Sequence, residues 1–197
     1  MIWWLKIRAA WVLVGTVLAT VGLGLLMGTA KLPLPVLTGG SGSFLIGQLI
    51  PVLPAVIFLY GTGRTDGRLE SIAAHPMRAL DAGWALCIAI FIAGTAGCAY
   101  LLARQEIAIV IGRDGLGYIG TALFFAALFG SRAAAGLTTL VPIVLAAIGW
   151  QADGRPHPWA WPLLPGTSVL GLLAAMSVLT LGTCFTLVWR APIQFRR

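Results

Sequence analysis

An all-α membrane protein, a bundle of six transmembrane helices with both termini cytoplasmic, is what this sequence predicts, on three observations. Of 197 residues, 59% are hydrophobic and 10% charged, against roughly 25% charged in an ordinary globular chain. The apolar residues gather in runs of about 15 to 24, close to the roughly 20 that a 30 Å hydrocarbon core requires of a helix. The cations sit at the ends of those runs, where they set orientation. No water-soluble domain can be built from this mixture, and the length suits one compact transmembrane domain over residues 1–197.

The runs place spans at about 9–28, 44–60, 82–102, 116–131, 133–150 and 166–189. The first follows Lys6 and Arg8 like a signal peptide, but its apolar part outruns the 7 to 15 residues of a typical signal and reads as a permanent span. The second carries Pro51 and Pro54, tolerated only if neighbours or water satisfy the freed carbonyls. Glu106, Arg113 and Asp114 flank or enter the apolar stretch 107–112 before the fourth. That stretch reads as an exposed loop, a re-entrant piece or an early start to the span.

With the N-terminus inside, nine cations fall on the cytoplasmic side: Lys6, Arg8, Arg64, Arg68, Arg78, Arg132, Arg190, Arg196 and Arg197. Lys31, Arg104, Arg113 and Arg155 fall outside, a bias that supports six spans. All eight tryptophans lie near proposed span ends, where indoles prefer the interface. The formal charge of +7 therefore reads as orientation and contact with anionic membrane lipid, and no nucleic-acid partner is expected. Cys87, Cys98 and Cys184 lie inside apolar runs without metal or disulfide spacing, and are expected to be small buried apolar residues.

Two connections stand out. The extracellular segment 149–166, GWQADGRPHPWAWPLLPG, has four prolines and three tryptophans and reads as a stiff cap or re-entrant hairpin. The cytoplasmic segment 61–81, GTGRTDGRLESIAAHPMRALD, holds half of the acidic residues. In it Leu69, Ile72 and Ala73 share one helical face. Asp66 or Gly67 caps the start, Glu70 suits the first turn and Pro76 ends the helix. Two turns are marginal alone, so lipid, the bundle or a partner must hold them.

The run Arg64, Gly67, Arg68, Leu69, Glu70, Ala74, His75, Pro76 and Arg78 resembles the signature G-T-L-E, four residues, P found between the second and third spans of type-two ABC transporter permeases, the exporter transmembrane subunits. Arg68 stands where that family often has Thr. Six spans, internal termini and a broken segment before the last span extend the resemblance over nearly the whole chain. It implies that residues 67–75 are a coupling helix. Arg64, Asp66, Gly67, Arg68, Leu69, Glu70, Ile72, His75 and Pro76 would contact ABC ATPase subunits, and a second permease chain, identical or homologous, would complete the assembly. Residues 1–10 are short for the family's N-terminal amphipathic helix. An ordinary solvated loop helix with a positive-inside signal would read much the same.

No phosphate-binding GxxxxGK[ST] loop occurs and neither lysine, Lys6 or Lys31, follows a glycine. No cofactor is expected in this chain; ATP and Mg would belong to the partner. All six acids are expected in loops or at span edges, His75 and His157 on opposite sides of the membrane. Enzymatic and proton-coupled readings therefore lack buried ionisable groups, and an apolar bundle favours a hydrophobic or amphipathic cargo. Within the spans Gln48, Ser177, Thr180 and Thr183 are polar, the last three recurring every third residue. They line a translocation path or, more simply, their hydroxyls bond carbonyls one turn back. Gly24 with Gly28, and Gly94 with Gly97, offer close helix approaches. The runner-up function is a non-transporting membrane accessory or immunity subunit. The expected location is the plasma membrane, crossed several times.

Overall fold

The computed structural model describes residues 10–32, 44–63, 77–151 and 153–188. They form α1 (Ala10–Met27), β1 (Lys31–Leu32), β2 (Phe44–Leu45), α2 (Ile46–Leu49), α3 (Val52–Thr62), α4 (Met77–Ala103), α5 (Glu106–Phe129), α6 (Ser131–Ile148), a 3-10 turn (Trp161–Leu163) and α7 (Val169–Val188). Five of these, α1 and α4 to α7, are long and apolar enough to cross a membrane. The all-α expectation therefore stands at the level of a multi-pass helical membrane protein, with a two-residue antiparallel pair added, Lys31 opposite Leu45.

The surface carries the same message. On α7 the inward stripe is Gly171, Ala175, Leu179 and Gly182, at helical spacing, while Leu170, Leu172, Leu173, Met176 and Leu181 are exposed. Water would reject an apolar surface of this extent; lipid accepts it.

The expected span 44–60 is broken in two. Pro51 caps α3, and Pro54 falls in its first turn, where backbone N–H groups have no partner in any case. At the break the Gln48 carbonyl accepts from the Tyr118 hydroxyl at 2.9 Å, and the Gln48 side chain accepts from Leu45 N–H at 3.0 Å. The Ile50 carbonyl, which Pro54 has no N–H to serve, accepts instead from Leu53 N–H at 3.0 Å.

The stretch 107–112 resolves as an early start: the segment expected at 116–131 is the later part of a helix beginning at Glu106. Its connections are tight. Arg104 turns the chain between α4 and α5 in the left-handed region (φ 54°), and Gly130 alone separates α5 from α6 at φ 80°, ψ 163°, a conformation only glycine adopts readily. Helices joined this closely lie antiparallel.

α5 is the central helix, buried from Ile107 to Leu123 almost all round. Glycines let its neighbours approach. A Cβ on Gly115 would meet Ile92 of α4 at 2.6 Å, and one on Gly120 would meet the backbone of Leu179 in α7 at 2.5 Å. Gly182 of α7 faces Gly120 in turn. Such small-residue crossings are how membrane helices gain contact when lipid offers no hydrophobic drive between them. Gly24 and Gly28 do pack closely, onto Ile111 and Ile107 of α5, but Gly94 and Gly97 face open space and make no close approach. The three cysteines are exposed on outward helix faces rather than buried.

Candidate functional site: a buried ion pair under the α6–α7 connection

Arg113 and Asp114 are the eighth and ninth residues of α5, about 10–12 Å from its start at 1.5 Å per residue. They are 2% and 0% exposed. This corrects the expectation that every acid lies in a loop or at a span edge, and it withdraws Arg113 from the cations counted outside. Burial of the pair is possible because the helix begins early and because the α6–α7 connection folds in beside it.

Each nitrogen of the guanidinium donates one hydrogen bond. Nε donates to Asp114 Oδ1 at 3.0 Å, Nη1 to the Pro165 carbonyl at 2.8 Å and Nη2 to the Pro162 carbonyl at 3.3 Å. The fork geometry of arginine suits two carbonyls presented three residues apart. Space for it comes from Gly171, where a Cβ would stand 2.7 Å from Nη1.

Trp161, at the start of the 3-10 turn, lies against Gly117, so that a Cβ there would strike the indole. Its ring sits 6.1 Å from that of Tyr118, tilted by 59°. The indole, expected at the interface with the other tryptophans, is thus drawn into the bundle. Tyr118 follows Asp114 by one turn on the same face. Asp114 Oδ2 and Trp161 Nε1, both buried, have no hydrogen-bond partner among the described residues. The other side of the connection is apolar: Ala160 and Leu163 pack with Phe44, Ala146 and Trp150.

An ion pair inside a membrane bundle is weak evidence of stabilisation, since desolvation offsets the attraction. Ionisable groups there generally serve ion or substrate pathways or switches. Among the described residues no group of three or more His, Cys, Asp or Glu could hold a metal.

The polar residues singled out in sequence do not gather here. Gln48 is buried beside Tyr118. Ser177 and Thr180 are exposed on α7 and Thr183 is half-buried. Their hydroxyls donate to Leu173, Met176 and Leu179 at 2.8 Å, the one-turn-back bond of the simpler reading. The proposed ATPase contacts Arg64, Asp66, Gly67, Arg68, Leu69, Glu70, Ile72, His75 and Pro76 lie outside the described residues. His157 stacks on Trp159 within the connection, ring centroids 5.5 Å apart. Sequence reasoning missed the Arg113–Asp114 site, although its signal was present. Two adjacent opposite charges followed by Gly115, Gly117 and Gly120 in one apolar run of helical length describe a charge pair inside a closely packed helix.

No protein-family model, curated protein or solved structure matches the chain.

Proposed function

We propose that the chain is the transmembrane permease subunit of an ATP-driven ABC exporter in the plasma membrane. It would move a hydrophobic or amphipathic substrate by alternating access, coupled to separate ATPase subunits that bind ATP and Mg. The observation that carries the reading is the 61–81 connection, with Gly67, Leu69, Glu70 and Pro76 at the spacing of a permease coupling helix. That connection joins α3 to α4. α3 ends at Gly63 beside Ser131, where α6 begins, and α4 packs on α5 through Ile92 and Ala96. A partner docked on the connection would therefore pull on the helices around the ion pair.

The chain itself would make and break no bond. Six spans with both termini inside remain the proposed arrangement, the broken α2–α3 unit serving as the second. With Arg113 inside α5, the cations divide nine to three, since 13 less the buried one leaves 12. The buried pair gives the bundle a charged locus and favours an amphipathic cargo over a purely hydrophobic one. Dense packing around α5 leaves the exposed α7 stripe, Ser177 and Thr180, to face a second chain, so a path would run between two permeases.

The same packing supports the second reading, an accessory or immunity subunit that binds another membrane protein and moves nothing. Copurification from mild detergent separates the two: a stoichiometric ATPase supports the permease, and its absence favours the accessory protein.

Orientation has its own test. Cysteines placed near Arg68 are expected to label only from the cytoplasm and those near Arg155 only from outside; reversal at either site removes the six-span, termini-in arrangement. Coupling is tested at Glu70, whose carboxylate contributes only about 0.3–1 kcal/mol to its own helix, whereas truncating a buried charged contact with a partner costs roughly 2–5 kcal/mol of association. Glu70→Ala should leave expression and detergent stability near wild type while weakening ATPase copurification. Leu69→Asp should do so more severely. Normal assembly and transport by both variants would sink the coupling-helix assignment.

A further inference from the structure

Between α6 and α7 the chain does something an inert linker has no need to do. It turns back into the bundle, and residues 160–168 lie against α5 through one charged side chain, Arg113, which reaches the carbonyls of both Pro162 and Pro165. Prolines have no N–H, so neither residue can donate to a regular ladder, and the segment's own bonds are short-range turns: Leu163 N–H to Ala160, Leu164 N–H to Trp161 and Ser168 N–H to Pro165. A static plug would be served as well by apolar packing, which avoids desolvating a guanidinium.

The closed arrangement is also incompletely satisfied. Asp114 Oδ2 on α5 and Trp161 Nε1 on the connection have no partner among the described residues. They belong to the two elements that meet at this seam, so separation would admit water to both. Two glycines mark the fit: Gly171 leaves room for the guanidinium and Gly117 for the indole. The segment is thus seated by shape, fixed by one fork of hydrogen bonds, and left with polar groups that its closure does not pair.

We propose that residues 160–168 are a lid over the polar end of α5, latched shut by the Arg113 guanidinium on the Pro162 and Pro165 carbonyls, and that the lid opens as one unit by releasing that fork. Asp114 holds the guanidinium in place through Nε and keeps its charge compensated when the lid is open. As a lid this does not depend on the function proposed above; as the outer gate of an alternating-access path it rests on that reading.

The test uses the full chain in nanodiscs with its cysteines replaced (Cys87→Ala, Cys98→Ala, Cys184→Ala) and a reporter, Leu163→Cys, within the lid itself, where the side chain is buried against Phe44, Ala146 and Trp150 as long as the lid is seated. Removing the latch without stranding a charge, by Arg113→Met with Asp114→Asn, is expected to raise labelling of position 163 by a water-soluble maleimide about ten-fold or more, the least that loss of one charge-assisted hydrogen bond gives to an opening equilibrium. Unchanged labelling in a folded variant overturns the latch. Hydrogen exchange on the unmutated chain provides an arm that no folding defect can obscure. The amides of Leu163, Leu164 and Ser168 should exchange together and about ten-fold or more faster than those of residues 112–123, as a local opening requires. Exchange of both sets at the same rate overturns the lid whatever the variant does. Neither measurement involves an ATPase, so failure to copurify one counts against the permease alone.

Discussion

Gly120→Leu is expected to drive α5 and α7 apart and to give a large loss of stability. A Cβ at position 120 would stand 2.5 Å from the Leu179 Cα and backbone nitrogen and 2.6 Å from the Val178 carbonyl carbon. These are backbone atoms in mid-helix, and no rotamer change moves them aside. Overpacking usually costs about 1–3 kcal/mol and more where the backbone must shift, and a leucine here should reach the upper end of that range. The measurement is the unfolding midpoint of the purified chain in detergent. Gly94→Leu is the control: nothing lies near a Cβ at that position, and its effect should stay within roughly 0.5 kcal/mol. Equal effects at the two positions would mean that α5 and α7 do not cross at Gly120 and Gly182.

The second large effect is expected from breaking the ion pair on one side only. Asp114→Asn leaves the guanidinium buried with three neutral acceptors, and loss of one member of a buried pair costs about 3–5 kcal/mol. Arg113→Met strands the carboxylate and should cost as much. Replacing both together, Arg113→Met with Asp114→Leu, removes both charges and should recover most of the stability, because apolar substitutes for a buried pair are often neutral or better. The signature is therefore non-additivity: the double variant more stable than either single one, read from the same unfolding midpoints. Strict additivity of the two single effects would show that the groups do not interact. Stability regained without lid closure would separate the pair's structural worth from its role as a latch.

Composition and run length made the helical membrane class legible, since a chain this apolar has only helices available in a bilayer unless it closes a β-barrel. What escaped was local competition. The charges of Arg113 and Asp114 were expected in a loop or at a span edge because a span was expected to be apolar at its centre; the helix takes them in because Pro162, Pro165 and Gly171, about fifty residues further on, supply carbonyls and space. No window of the sequence contains both halves of that arrangement. The break at Pro51 was signalled by the prolines themselves, but its partner, the Tyr118 hydroxyl, was not. Glycine spacing identified Gly24 and Gly28 correctly and misread Gly94 and Gly97, because spacing shows which residues can approach a neighbour and not whether a neighbour is there. Cys87, Cys98 and Cys184 were read as buried because apolar surroundings in sequence do not distinguish a protein interior from a lipid-facing side.

The central place of α5 has a consequence for how the chain is made. It is the least apolar of the five long helices and the most enclosed, and each charge at a helix centre costs about 2.5–3.5 kcal/mol on entry to the membrane. When α5 leaves the ribosome, α4 is already present, joined by the turn at Arg104, and can shelter one side. The carbonyls that receive Arg113 and the helix that packs on Gly120 are not yet made, since α7 ends at Val188, 59 residues after Phe129 (188 less 129). At about 5–20 residues per second that interval is roughly 3–12 s. For that time the most polar helix of the bundle has lost water without its C-terminal partners, and its retention depends on α4, on α1 through Gly24 and Gly28, and on the insertion machinery until the C-terminal helix arrives.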